Sequence, residues 1–137
     1  MTKVESKIEI RSSPKRIYEA LTDSSLISKW NITLKEINQI GLDKHEVKST
    51  IGDFITTTTE RVENKRISFK VDSPDFNSYG YILKAKGDIT ELSYWTDYKI
   101  VQHKKILKRY QIHHLNHVKN FVDFLEDGGD PDDYDKS

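Results

Sequence analysis

The 137-residue sequence contains no cysteine, which excludes a disulfide framework, a thiol nucleophile and a cysteine-based metal cage. It also carries no net charge, with 22 basic residues against 22 acidic ones. That balance argues against a protein that coats nucleic acid, and no nucleic-acid partner is expected. Long hydrophobic runs are missing as well. None approaches the ~18–20 residues of a membrane span, and the opening MTKVESKIEI lacks a signal-peptide core. A cytoplasmic domain without a membrane span is therefore expected. There is no GxxxxGK phosphate loop, GxGxxG, GxSxG elbow or HExxH, so no cofactor, metal site or catalytic residue is assigned. Hydrophobic residues make up only 35% of the chain, and adding the six glycines still leaves it below the ~45–50% usual for globular proteins. The core must be thin or partly replaced by a cavity. Against disorder stand five Phe, seven Tyr and two Trp, enough surface to bury. The length fits one domain of roughly 100–150 residues.

The segment VESKIEIR alternates, with Val4, Ser6, Ile8 and Ile10 on one side and Glu5, Lys7, Glu9 and Arg11 on the other, which predicts a strand with one wet face. Ser13 then suits a helix N-cap and Pro14 the first helical position, with Ile17, Ala20 and Leu21 at helical spacing. A shorter helical stretch comes next in SSLISKW, where Leu26 and Trp30 share a face. From Thr33 to Ile100 the chain is β-rich. The segments KHEVKSTI, DFITTTTERV, KRISFKVD, SYGYILKAKG and ITELSYWTDYKI alternate, with LKEINQI the weakest of the set. Breaks at Gly41-Leu42-Asp43, Gly52-Asp53, Glu63-Asn64, Asp72-Ser73-Pro74 and Gly87-Asp88 predict hairpins and an antiparallel meander.

The last element reads as one long helix from about His103 to Glu126. On a helical wheel Leu107, Tyr110, His114, Val118, Phe121 and Leu125 fall in one sector. Ile106 and Phe124 border it on one side, Leu115 and Val122 on the other. Gly128-Gly129 supplies the stop. From Glu126 onward the chain holds six acids and one lysine, leaving the rest about five positive charges in excess. Residues 1–128 are thus expected to form the domain, and 129–137 an acidic, loose tail. The cationic HKKILKR at the start of this helix and the acidic stretch at its end oppose the helix macrodipole. Each charge there is worth only ~0.3–1 kcal/mol, so packing must hold the helix. Lys104, Lys105, Lys108 and Arg109 are accordingly a candidate site for an anionic group or acidic partner, or else a solvated face compensated by carboxylates.

A sheet of about seven strands with one apolar face must be covered, and only the last helix is large enough to do so. Twist curls such a sheet around the helix, and the gap between them is where a cavity opens. The fold class is α+β. The opening IEIRSSPKRIYEALTDSSLISKW, with Ser13, Pro14, Ala20, Leu21, Thr22, Asp23 and Trp30, resembles the START-like helix-grip superfamily (SRPBCC, birch-pollen-allergen-like). The ending HHLNHVKNFVDFLEDGG is similar to the last helix of the branch related to the activator of the heat-shock ATPase, and polyketide cyclase/dehydratase-like members share the layout. The chain departs from the activator-like branch in lacking a Pro-Gly-Gly turn in its middle strands. The resemblance implies a helix-grip domain over residues 3–128 and places Trp30 near the cavity entrance.

Within that frame His114 stands in the helix's apolar sector, where a titratable group is costly unless bonded. It is a ligand-orienting group, a general base with a tuned pKa, or a core histidine satisfied by a tyrosine hydroxyl or a backbone carbonyl. Tyr79, Tyr81, Leu83 and Ala85 share one strand face, and Leu92, Tyr94, Thr96 and Tyr98 another, suiting a pocket wall or a half-buried core. One of the pairs Thr56/Thr58 or Thr57/Thr59 faces inward. His113 and His117, at i and i+4, lack a third ligand and read as a polar shoulder. The candidate ligand-binding set is Trp30, Tyr79, Tyr81, Tyr94, Thr96, Tyr98, Tyr110, His114 and Val118. The expected function is binding or sequestration of a small hydrophobic or amphipathic ligand, such as a lipid, an isoprenoid or a polyketide-like molecule. The alternatives are a cyclase/dehydratase-like enzyme using the same cavity and a partner-binding, co-chaperone-like module.

Overall fold

The computed structural model describes residues 2–50, 52–99 and 104–136. Chain order is β1 (Thr2–Ile10), α1 (Pro14–Thr22), α2 (Ser24–Trp30), β2 (Leu34–Gly41), β3 (Lys44–Ser49), β4 (Gly52–Val62), β5 (Arg66–Asp72), β6 (Phe76–Lys86), β7 (Ile89–Tyr98) and α3 (Lys104–Glu126), closed by a 3-10 turn at Pro131–Asp133. His103, where the sequence starts the last helix, lies outside the described residues, as do Ile51 and Ile100 in two of the expected strands.

Four of the five expected breaks fall at turns of the meander, whereas Gly52-Asp53 opens β4 and pairs with Ser49 and Lys48; Asp43 and Asn64 occupy left-handed conformations (φ 59° and 63°) at two of the turns. The seven strands form one curved antiparallel sheet in the order β1-β7-β6-β5-β4-β3-β2. β1 and β2 therefore sit on opposite edges, and the α1–α2 pair carries the chain from one edge to the other. α1 is capped as the sequence reads, the Ser13 hydroxyl accepting from the Arg16 N–H at 3.2 Å, and α2 has a cap that the sequence reading did not assign, Asp23 Oδ1 accepting from the Ser25 N–H at 3.0 Å. The Trp30 indole N–H donates to the Ala20 carbonyl at 2.8 Å, which fixes α2 against α1.

α3 lies across the concave face and buries Leu107, Gln111, Leu115, Val118, Phe121 and Val122. The buried stripe is rotated relative to the sequence expectation. Gln111, which hydropathy alone places at the margin, is 1% exposed, while Tyr110 is 68% exposed. The cause is a polar fastening to β1. Gln111 Nε2 donates to the Val4 carbonyl at 2.7 Å, and Gln111 Oε1 accepts from the Ser6 hydroxyl at 2.7 Å. These bonds turn the helix toward the β1 edge and leave Tyr110 on the outer flank.

The helix ends as expected. Gly128 takes φ +90°, and the Gly129 N–H returns to the Phe124 carbonyl at 2.9 Å. In the structure the acidic segment beyond it lies against α2 and α3. The Tyr134 ring packs edge-on against Phe121 at a centroid distance of 5.1 Å and lies 5.2 Å from Phe124. Lys136 Nζ donates to the Ser28 and Asn31 carbonyls at 2.8 and 3.1 Å, and Lys29 meets Asp132 at 3.0 Å.

Candidate functional site

A cavity of about 190 Å³ lies between the sheet's inner face and the α2–α3 side. Its walls alternate as strand periodicity requires. β4 presents Thr56 and Thr58, β5 presents Ile67 and Phe69, and β6 presents Tyr79 and Tyr81. Of the two threonine pairs, Thr56/Thr58 is thus the inward one. α2 supplies Ile27 and Trp30, and α3 supplies His114.

His114 is the polar centre. Its Nε2 lies 2.6 Å from the Tyr81 hydroxyl, the tyrosine partner that the sequence allowed for a core histidine. Three rings surround the imidazole: Trp30 edge-on at 5.2 Å, Tyr94 tilted at 4.7 Å and Tyr81 stacked at 6.0 Å. Burial in this aromatic nest pushes the imidazole pKa down to about 4, with His117 contributing in the same direction. Burial raises Tyr81 well above the ordinary phenol value and lifts Tyr94 to about 12. At neutral pH all three are uncharged. The Tyr81–His114 contact uses one hydrogen, so the pair retains an unused donor or acceptor valence that a ligand can meet. Ring contacts continue outward, with Tyr79 stacked on Phe69 at 4.8 Å and edge-on to Tyr94 at 6.2 Å.

The structure brings Trp30, Tyr79, Tyr81, Tyr94 and His114 of the candidate set into one cavity wall. Trp30 is an interior wall rather than an entrance, being 2% exposed and bonded to Ala20. The remaining four lie elsewhere. Thr96 and Val118 are buried but do not line the cavity, Tyr98 packs toward Phe76, and Tyr110 points to solvent. Sequence reasoning did not single out Arg61, His45, Phe54 and Phe76, which also line it. Alternation in β3 and β4 carries the signal for His45 and Phe54. No signal in the sequence marks Arg61.

His113 and His117 stack nearly perpendicular at 4.9 Å on the flank of α3, and burial lowers the His117 pKa with help from His113. Among the described residues no three His, Cys, Asp or Glu side chains cluster to hold a metal ion. Lys104, Lys105, Lys108 and Arg109 are exposed on the first turns of α3, and among the described residues none of the four is in an ion pair. No described helix is long and apolar enough to cross a membrane.

No protein-family model and no curated protein matches the sequence. Solved structures do match. The Aha1 dimer structure from Colwellia psychrerythraea superimposes with a TM-score of 0.72 at 17% identity, over 88% of this chain and 95% of that one. A START superfamily protein from Mycobacterium smegmatis gives 0.67 at 18% identity, over 85% and 90%. DynU16, from the dynemicin biosynthetic locus, gives 0.72 at 16% identity, with 94% of this chain matching 49% of that protein. Identities this low speak for architecture alone. With the single curved sheet, the two short helices after β1 and the long helix gripped across the concave face, they establish that this chain has the START-like helix-grip fold.

Proposed function

We propose that the chain binds a small apolar or amphipathic molecule in the cavity between sheet and α3. The observation that carries this reading is a cavity walled by aromatic and aliphatic side chains around a neutral, buried Tyr81–His114 pair. Apolar walls supply affinity, at about 2.5 kcal/mol for each 100 Å² of ligand surface removed from water before association costs. The buried Tyr81–His114 pair supplies orientation. Size narrows the guest. A cavity of about 150 Å³ takes benzene, so the 190 Å³ space suits a molecule of one or two rings. A longer lipid or isoprenoid requires α2 to move outward.

Native mass spectrometry of freshly purified protein tests for a co-purifying guest, and amide and indole NMR titration with small aromatic compounds tests the site directly. Saturable shifts at the Trp30 indole N–H and around His114 are the expected result. Absence of both a co-purified mass and any shift at these residues refutes the reading.

Turnover in the same cavity is a second reading, favoured by a buried imidazole that lies 2.6 Å from a phenol hydroxyl. His114→Ala separates the two, since an enzyme loses turnover whereas a binder loses only affinity. The cations Lys104, Lys105, Lys108 and Arg109, unpaired among the described residues, favour docking of an anionic group or acidic partner on the outer surface. Such docking weakens as salt is raised.

A further inference from the structure

Regular alternation along β4 places Phe54, Thr56 and Thr58 on the cavity side and makes Glu60 the next inward residue. The structure breaks that order. Thr58 stands opposite Phe69 of β5, but Glu60 stands opposite Ser68 and Arg61 opposite Ile67. Thr59 and Glu60 together therefore span a single residue of β5. A bulge of this kind adds one residue to one strand and redirects the side chains beyond it. Because Ile67 and Phe69 both line the cavity, Arg61 occupies the inward slot that regular pairing gives to Glu60.

The displaced residues are accommodated outside. Glu60 Oε1 lies 2.9 Å from Arg66 Nε, and the Thr59 hydroxyl lies 3.2 Å from that of Ser68. One extra residue has thus exchanged a carboxylate for a guanidinium in the cavity wall. Among the described residues, Arg61 is the one lysine or arginine lining this cavity, and no aspartate or glutamate lines it.

Arg61 sits at the mouth, its side chain 49% exposed, and one of its nitrogens lies 3.7 Å from Asp43 Oδ1. A half-exposed pair at that distance holds the side chain only weakly. The guanidinium also lies beside the Tyr18 hydroxyl, drawing its pKa down against the stronger upward push of burial, and its planar fork of five donors leaves others for an incoming anion.

We infer that Arg61, turned into the cavity wall by the Thr59–Glu60 bulge, selects aromatic carboxylates of one or two rings. The ring lies against Phe54, Phe69 and Tyr79, and the carboxylate meets the guanidinium at the mouth. This inference rests on the cavity-binding reading given above.

NMR titration of the full chain with phenylacetate and with its neutral near-isostere phenylacetamide tests it, in the wild type, Arg61→Gln and Arg61→Lys. The wild type binds phenylacetate about tenfold more tightly than phenylacetamide, as a charge-assisted contact at a partly exposed site provides. Arg61→Gln binds the two probes alike, while Arg61→Lys keeps part of the preference. Equal affinities in the wild type, or a preference that survives in Arg61→Gln, overturns the inference and leaves the cavity reading intact. Failure of both probes to bind the wild type overturns the inference, while the cavity reading stands or falls by the co-purification and titration tests given above.

Discussion

The Tyr81 hydroxyl and His114 Nε2 lie 2.6 Å apart, joining β6 to α3 across the gap that the gripped helix leaves in the described core. Neither partner is charged at neutral pH, because burial holds the imidazole near 4 and the phenol well above its ordinary value. The link is thus a neutral hydrogen bond inside an aromatic nest. Its consequences are measurable as stability, as titration behaviour and as ligand recognition.

The first consequence is a pH dependence of defined sign. An imidazole at about 4 in the folded state and about 6.5 in the unfolded chain takes up its proton more readily when unfolded. Stability from this source is complete above about pH 6.5, falls as pH drops toward 4, and loses nothing further from this group below that. The whole shift corresponds to at most about 3 kcal/mol. His117, also lowered by burial, adds a contribution of the same sign. Urea unfolding between neutral and mildly acidic pH should show a clearly shallower pH dependence in His114→Gln than in the wild type. Coincident profiles, or an NMR titration of His114 with an ordinary midpoint, would refute the assignment.

Removing the other partner has a different signature. Tyr81→Phe keeps the ring and its stacking on Tyr94, 5.0 Å away, but leaves His114 Nε2 buried without its partner. A loss of about 1–3 kcal/mol in urea unfolding is expected. In a His114→Leu background the same change should cost much less, because no imidazole is left unsatisfied. Equal costs in both backgrounds would mean that the hydroxyl acts through something other than His114.

How much of this is legible in the sequence depends on how local each cause is. Alternation gave the inward faces of β5 to β7, and Ser13-Pro14 and Gly128-Gly129 marked helix ends, because caps and turns are decided within a few residues. The His114–tyrosine bond was foreseeable in kind, since a buried imidazole needs a partner. The bulge that turns Arg61 inward was not. It falls between Thr59 and Glu60 without glycine or proline, and it is defined by pairing with β5 rather than by its own residues. Gln111 escaped for a similar reason: hydropathy puts it on a helix margin, while its partners Val4 and Ser6 lie more than a hundred residues earlier.

Gln111 therefore offers a sharp test of what orients α3. Gln111→Leu preserves volume but strands the Val4 carbonyl and the Ser6 hydroxyl in the interior, at an expected cost of about 2–4 kcal/mol. Amide hydrogen exchange should rise most along β1, whose pairing with β7 is its sole strand contact at that edge. A uniform rise across the sheet would instead assign Gln111 a generic packing role.

The seated C-terminal segment makes the last prediction. Tyr134 leans on Phe121 and Phe124, and Lys136 donates to the Ser28 and Asn31 carbonyls at the end of α2, where a helix dipole favours a cation. Tyr134 is only half-buried, so Tyr134→Ala should cost about 1–2 kcal/mol, and Lys136→Ala no more than about 1 kcal/mol. Because α2 carries Ile27 and Trp30 into the cavity wall, Tyr134→Ala should also speed hydrogen exchange in α2 while sparing β5 and β6. A stability indistinguishable from wild type, with α2 exchange unchanged, would return residues 129–136 to the status of a free tail. A selective loosening of α2 would make this short acidic strap a structural support of the wall that a guest molecule touches.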